Sequence, residues 1–238
     1  MAPGFTAVVP ARDEEDRLPE TLDALLTLPH LRALVVVDDG SRDSTPDIVR
    51  RRGIQLISAA PPGEPAGKGY ALLLGISRAR TTGPEAVLLA DADLGPTAGR
   101  LWPLLEALGP KQPAAIASFP RPERGAGGGL GLVKSFARRS IARRNALGYA
   151  PEEPLSGQRA LLLSALDALP GIAPGFGAEV GMTLDLLSAD LLPAEVPLDL
   201  DHRRTGRDPA GFLHRARQGL DVLRAVNGAR LPWPHDHT

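Results

Sequence analysis

Two sets of acids stand where short apolar runs end. Asp38-Asp39 follows residues 34–37, and Asp91-Ala92-Asp93 follows residues 86–90. In open α/β sheets the crevice beyond the carboxyl ends of the strands is where ligands bind. Carboxylates gathered there repel one another unless a cation or hydrogen-bond donors are present. A divalent metal bridging the diphosphate of a nucleotide supplies that charge. An aspartate after a strand is also an ordinary turn or cap residue, but two such sets in one strand–helix series favour a ligand site. Pro10-Ala11-Arg12-Asp13-Glu14-Glu15 follows the first apolar run. Its acids can accept hydrogen bonds from a base or ribose, or they simply open a helix. In Gly67-Lys68-Gly69 the glycines allow close backbone approach and the lysine is a point charge suited to phosphate. The plain alternative there is an exposed loop lysine.

The second half offers fewer signals. His202, in Asp201-His202-Arg203-Arg204, follows an expected strand over residues 195–200. A neutral imidazole completes a carboxylate site and favours Mn²⁺ over Mg²⁺. Arg203, Arg204 and Arg207 could hold a departing diphosphate, or form a basic surface turn. Glu179 ends Gly175-Phe176-Gly177-Ala178-Glu179. It suits a helix start as well as a carboxylate that orients a hydroxyl. Ser156-Gly157-Gln158-Arg159 is a polar island between apolar segments and suits a binding loop.

The elements that must position these groups alternate. Strands are expected at 5–9, 34–37, 54–57 and 86–90, with a helix over 68–80 and helical spacing at Leu18, Leu22, Leu25 and Leu26. Thr45-Pro46 reads as an N-cap with proline at the first helical position. Such alternation implies a parallel sheet with helices on both faces. After the glycine-rich stretch 120–131 the pattern is irregular. It includes a basic amphipathic helix over 133–144 and a last helix from Pro209 to about Val226. No shift in composition divides the chain, so one domain is expected, with halves over 1–119 and 120–238.

Composition narrows the partners. The 238 residues carry 27 Lys+Arg against 28 Asp+Glu, so no broad basic face for nucleic acid is expected. Only 4% are aromatic, which disfavours a base-stacking platform. There is no cysteine, excluding disulfides and thiolate chemistry. No apolar run is long enough to span a membrane and residues 1–13 lack the pattern of a signal peptide, so a cytoplasmic protein is expected. The basic helix could touch an anionic membrane at its inner face, and a homodimer is compatible with the sequence.

Together, Val9–Glu15, Val37–Thr45, Gly67-Lys68-Gly69 and Asp91-Ala92-Asp93 resemble the family-2-like nucleotide-sugar glycosyltransferases of GT-A fold. Gly127-Gly128-Gly129, Pro154-Leu155-Ser156-Gly157, Gly175–Gly181 and His202 resemble the glucosyl-3-phosphoglycerate synthase group. The resemblance implies a Rossmann-like, mostly parallel α/β sheet and transfer of a hexose from a UDP- or GDP-sugar. It assigns Pro10, Ala11, Arg12, Asp13, Glu14 and Asp39 to the nucleoside and Lys68 to the nucleotide. Asp91, Ala92, Gly177, Ala178 and Glu179 fall at the donor sugar, with Asp91 and Glu179 catalytic. Asp93 and His202 would bind Mg²⁺ or Mn²⁺, and Gly129, Gly131, Ser156 and Gly157 would meet the acceptor. The group's acceptor arginine and threonine are replaced by Leu130, Leu132 and Lys134, leaving a small phosphorylated acceptor and a lipid phosphate both open. The group implies retention of configuration. A sugar nucleotidyltransferase is the rival, from Pro10-Ala11-Arg12 and Arg17-Leu18-Pro19, although Glu20 stands where those enzymes carry lysine. A non-catalytic nucleotide-sugar-binding protein is a second rival.

Overall fold

The computed structural model describes residues 2–119, 130–201 and 209–234. The first half runs β1 (Phe5–Ala11), α1 (Leu18–Leu26), β2 (Leu31–Asp38), α2 (Thr45–Arg51), β3 (Gln55–Ser58), α3 (Lys68–Arg80), β4 (Ala86–Leu89) and α4 (Trp102–Glu106). The second runs β5 (Ala114–Ser118), α5 (Leu130–Ala142), β6 (Arg159–Leu162), α6 (Leu163–Asp167), β7 (Gly171–Ile172), α7 (Ala178–Ser188), β8 (Ala194–Pro197), α8 (Pro209–Val226) and β9 (Leu231–Pro232).

Seven strands form one sheet in the order β3-β2-β1-β4-β6-β5-β8. β1 pairs in parallel with β2 and β4, and β2 with β3. β6 runs antiparallel to both β4 and β5, and β8 returns parallel to β5. The sheet is thus the expected mostly parallel one, and it continues through both halves of the chain. β5 escapes sequence reading because it is alanine-rich (Ala-Ala-Ile-Ala-Ser) and alanine is depleted in strands, and β6 because Arg-Ala-Leu-Leu has no β-branched or aromatic residue.

Both faces of the sheet are covered, so its central strands are continuous buried runs rather than alternating ones. On one face Leu18, Leu22 and Leu25 of α1 pack with Phe5, Ala7, Val9, Val36 and Leu88. On the other, Leu72 and Ile76 of α3 and Met182 of α7 pack with Val8, Val87 and Leu89. A third cluster joins α5, α7 and α8 through Ala137, Ile141, Val180, Leu184 and Val222. These layers aim the ends of β1, β2 and β4 at one crevice.

Two details set the edges of that crevice. The cap of α2 is Ser44, not Thr45, which is the first helical residue. The Thr45 hydroxyl is instead engaged by the Glu14 N–H at 2.9 Å. At the start of α3, Gly69 lies directly against the 173–175 loop. A Cβ there would fall 2.1 Å from the Ala173 carbonyl oxygen and 3.0 Å from the Gly175 nitrogen. Because those neighbours are backbone, Gly69→Ala is expected to destabilise the fold by about 2 kcal/mol, as overpacking does. A melting curve tests this, with a Tm shift of about 3 °C per kcal/mol for a chain of this size.

Candidate active site

At one end of the crevice two loops form a clasp. The Asp13 N–H donates to the Ser41 hydroxyl at 3.0 Å, and the Arg42 N–H donates to Asp13 Oδ1 at 2.7 Å. Glu15 and Asp43 extend the clasp: the Ser44 N–H donates to Glu15, and the Glu15 N–H donates to Asp43. Asp13 takes a positive φ of 52°, which aspartate tolerates better than most residues. Pro10 and Ala11 end β1, and the Ala11 carbonyl accepts the Asp39 N–H at 2.9 Å. Asp39 is buried, and its carboxylate holds the neighbouring loop. Oδ1 accepts the Ala66 and Gly67 N–H groups at 2.8 and 3.1 Å, and Oδ2 accepts the Gly67 N–H at 3.1 Å. Burial raises the Asp39 pKa, while those amides and the nearby Arg12 charge work against the rise.

Gly67 leads into Lys68, which is the centre of the site. The ammonium nitrogen lies 2.7 Å from Asp91 Oδ1 and 2.7 Å from Glu179 Oε1. Burial of Lys68 disfavours its charge, but the two carboxylates outweigh that, and its pKa stands well above the ordinary lysine range. At neutral pH the group is therefore a fixed cation. Glu179 is only 3% exposed, so without Lys68 its charge would be costly to bury. Asp91 is held from its other side by Gln158, whose Nε2 donates to Oδ2 at 2.6 Å. The Ser156 hydroxyl donates to the Gln158 amide oxygen at 3.2 Å. Gly157 packs on the same carboxylate, because a Cβ there would lie 2.6 Å from Asp91 Oδ1.

The chain brings Lys68, Asp91, Glu179, Ser156 and Gly157 into this one network. Ala92 and Ala178 belong to the core clusters, so only their backbone can line the crevice. Gly177 faces α8, where a Cβ would meet the Asp221 carbonyl oxygen at 2.4 Å. Asp93 is half-buried in the same post-β4 loop and adds to the field on Arg17. Arg17 in turn donates to Asp201 at 2.9 Å, and the Asp201 N–H donates to the Thr97 hydroxyl at 3.0 Å. The segment leading to His202 is therefore anchored beside the Asp93 loop. His202, Arg203, Arg204, Arg207 and Gly129 lie outside the described residues. Gly131 is in the first turn of α5.

Gln158 and Arg159 are site residues that the motifs alone do not single out. Arg159 is 1% exposed. It donates to the carbonyls of Ser156 and Pro154 at 2.9 and 3.3 Å and to the Thr183 hydroxyl at 2.9 Å. Burial pulls its pKa down to about 10, with Glu179 and Tyr149 opposing the fall, so it is still charged at neutral pH. It thus shapes the loop that carries Gln158 and Gly157. The only sequence signal was the polar island itself, immediately before an apolar strand.

A mostly parallel sheet with acids beyond β1, β2 and β4, and a lysine clamped between two carboxylates, defines a nucleotide-sugar transferase of GT-A type. The chain belongs to glycosyl transferase family 2, whose profile matches residues 6–158; it is a glycosyltransferase. It is 30% identical over 232 residues to glucosyl-3-phosphoglycerate synthase of Mycolicibacterium paratuberculosis, covering 89% of this chain and 69% of that protein. A shorter match, 33% identical over 102 residues, is to human dolichyl-phosphate beta-glucosyltransferase, covering 37% of this chain and 31% of that protein. Among solved structures, glucosyl-3-phosphoglycerate synthase from Mycobacterium tuberculosis with Mn²⁺, UDP and phosphoglyceric acid superposes with a TM-score of 0.74. That match is 26% identical and covers 96% of this chain and 80% of the other. The same enzyme with Mn²⁺ and UDP-glucose gives 0.72 at 26% identity, covering 96% and 80%.

Proposed function

We propose that the protein moves a hexose from a nucleoside diphosphate to a small phosphorylated acceptor, with retention of configuration. Residues 1–119 form the donor half and 120–238 the acceptor half of one domain. UDP is the preferred carrier, on the similarity to the UDP-bound mycobacterial enzyme. The observation that carries the reading is Lys68 bound at 2.7 Å to both Asp91 and Glu179. Here one fixed cation and two acids meet beyond the sheet, where a diphosphate and its sugar would lie side by side.

The donor set also fits a divalent cation. Mg²⁺ sites commonly use one or two carboxylates and complete their shell with water and substrate phosphates. Asp93 would hold the ion, with His202 as its partner in this reading, and carboxylate donors suit both Mg²⁺ and Mn²⁺. When bound, the ion supplies positive charge to the leaving diphosphate.

Lys68 engages one oxygen each of Asp91 and Glu179, and Gln158 engages the other oxygen of Asp91, so neither carboxylate is offered to the acceptor as a free base. This supports retention without a protein base. The acceptor oxygen bonds to the anomeric carbon, the bond from that carbon to the diphosphate breaks, and the acceptor proton passes to the departing diphosphate on the same face. Asp91 and Glu179 orient the sugar hydroxyls, Gly177 and Ala178 border the sugar, and the nucleoside is held by residues 10–14 and Asp39. A lipid-phosphate acceptor at the inner face of a membrane is a second reading, supported by the shorter match to the human dolichyl-phosphate enzyme.

Thermal shift tests the donor assignment. UDP-glucose with Mn²⁺ at 100 times its Kd is expected to stabilise the protein by ~2.7 kcal/mol. The shift should shrink with chelator present. No shift with any UDP- or GDP-sugar, with either metal, would remove the proposal. Transfer assays with 3-phosphoglycerate and with a polyprenyl phosphate then separate the two acceptors.

A further inference from the structure

One side of α5 serves the core and the other stands exposed. Ala137 and Ile141 are wholly buried against Val180, Leu184 and Val222. Leu132 is 81% exposed and Phe136 40%. Arg139 continues the same line at helical spacing, and Arg143 and Leu147, the latter 73% exposed, stand in the turn that follows the helix. Such i, i+4, i+7 positions share one face of a helix. Arg138 and Arg144 are exposed beside the line.

The charge on this face is unbalanced. No aspartate or glutamate occurs from residue 130 to 151. Lys134 is paired with Glu153. Among the described residues, Arg138, Arg139, Arg143 and Arg144 make no ion pair. Four unpaired guanidinium groups thus interleave with three exposed large apolar side chains, on a protein whose net charge is only −1.

We propose that this face of α5 seats the protein on an anionic phospholipid bilayer. Arginines meet the headgroup phosphates, while Leu132, Phe136 and Leu147 enter the boundary with the acyl chains. Interfacial helices combine the same two attractions, and each basic residue near such a surface adds about fivefold in partitioning at low salt. A two-fold contact with a second copy fits less well, because it would bring Arg139 and Arg143 toward their own counterparts. A nucleic acid would answer the arginines and leave the leucines and phenylalanine in water. The contact does not depend on which acceptor the enzyme uses.

The test is sedimentation of the full chain with vesicles of phosphatidylcholine containing phosphatidylglycerol, at low and high salt. Binding is expected at low salt and should fail with pure phosphatidylcholine. Arg139→Ala with Arg143→Ala should weaken partitioning about 30-fold. Leu132→Ser with Phe136→Ser should weaken it on the order of a hundredfold at unchanged charge. All four side chains are exposed, so melting curves of the variants should match the parent. No binding to the anionic vesicles overturns the proposal. So does binding that is indifferent to Leu132→Ser with Phe136→Ser, which would mark a general polyanion site. A dimer in solution that those serine substitutions dissociate would assign the face to a second copy instead.

Discussion

Lys68→Met is expected to abolish sugar transfer and to lower stability by about 3 kcal/mol, the cost of leaving buried carboxylates without their cation. The parent ammonium holds Asp91 and Glu179 at 2.7 Å each. Its raised pKa means that its contribution to stability is complete below the ordinary lysine value and declines only at more alkaline pH. The variant should therefore lose stability throughout the neutral range. Without the cation the two carboxylates repel each other across the vacated position, and Glu179 is buried there. Calorimetry with a UDP-sugar and a melting curve read the two losses. Parental donor affinity with parental stability would show that the clamp is not the centre of the site.

The second large effect is expected at Asp93. Asp93→Ala should remove the Mn²⁺-dependent part of donor binding and lower transfer by about 10²–10³-fold, the range seen when a group that stabilises developing charge is lost. Its neighbour Arg17 keeps its bond to Asp201, so the fold should hold and the melting curve in the absence of metal should change little. Isothermal titration of UDP with and without Mn²⁺ reads the effect directly. Equal metal enhancement in parent and variant would move the cation away from Asp93. His202→Ala, titrated alongside, shows whether the imidazole shares the ion.

The acids beyond β1, β2 and β4 were legible because each follows an apolar run at a strand end, a position with its own meaning in an α/β sheet. Lys68 and Glu179 were legible from the glycines around them, which announce close backbone approach. The antiparallel placement of β6 against β4 was not. It sets the start of β6 beside the end of β4, and so delivers Gln158 to Asp91 from 67 positions away. Strand order is a property of the whole sheet, and no local pattern in Arg-Ala-Leu-Leu encodes it. Arg159 was hidden for a different reason. An arginine before an apolar strand looks like a solvated turn, and only the carbonyls of Pro154 and Ser156 and the Thr183 hydroxyl make its burial tolerable. Arg17 likewise appeared only as part of a rival motif, because its partner Asp201 lies 184 residues further on.

The same placement of β6 has a consequence for synthesis of the chain. β4, Ala-Val-Leu-Leu and wholly buried in the finished sheet, has β1 on one side but waits for residues 159–162 on the other. While the ribosome adds the roughly seventy residues between them, that apolar edge offers unpaired N–H and C=O groups to any passing strand. Lys68 and Asp91 have already emerged by then, but Glu179 has not. An emerging chain thus passes through a stage with a sticky edge and an unfinished clamp, and chaperone binding during translation should concentrate in that interval.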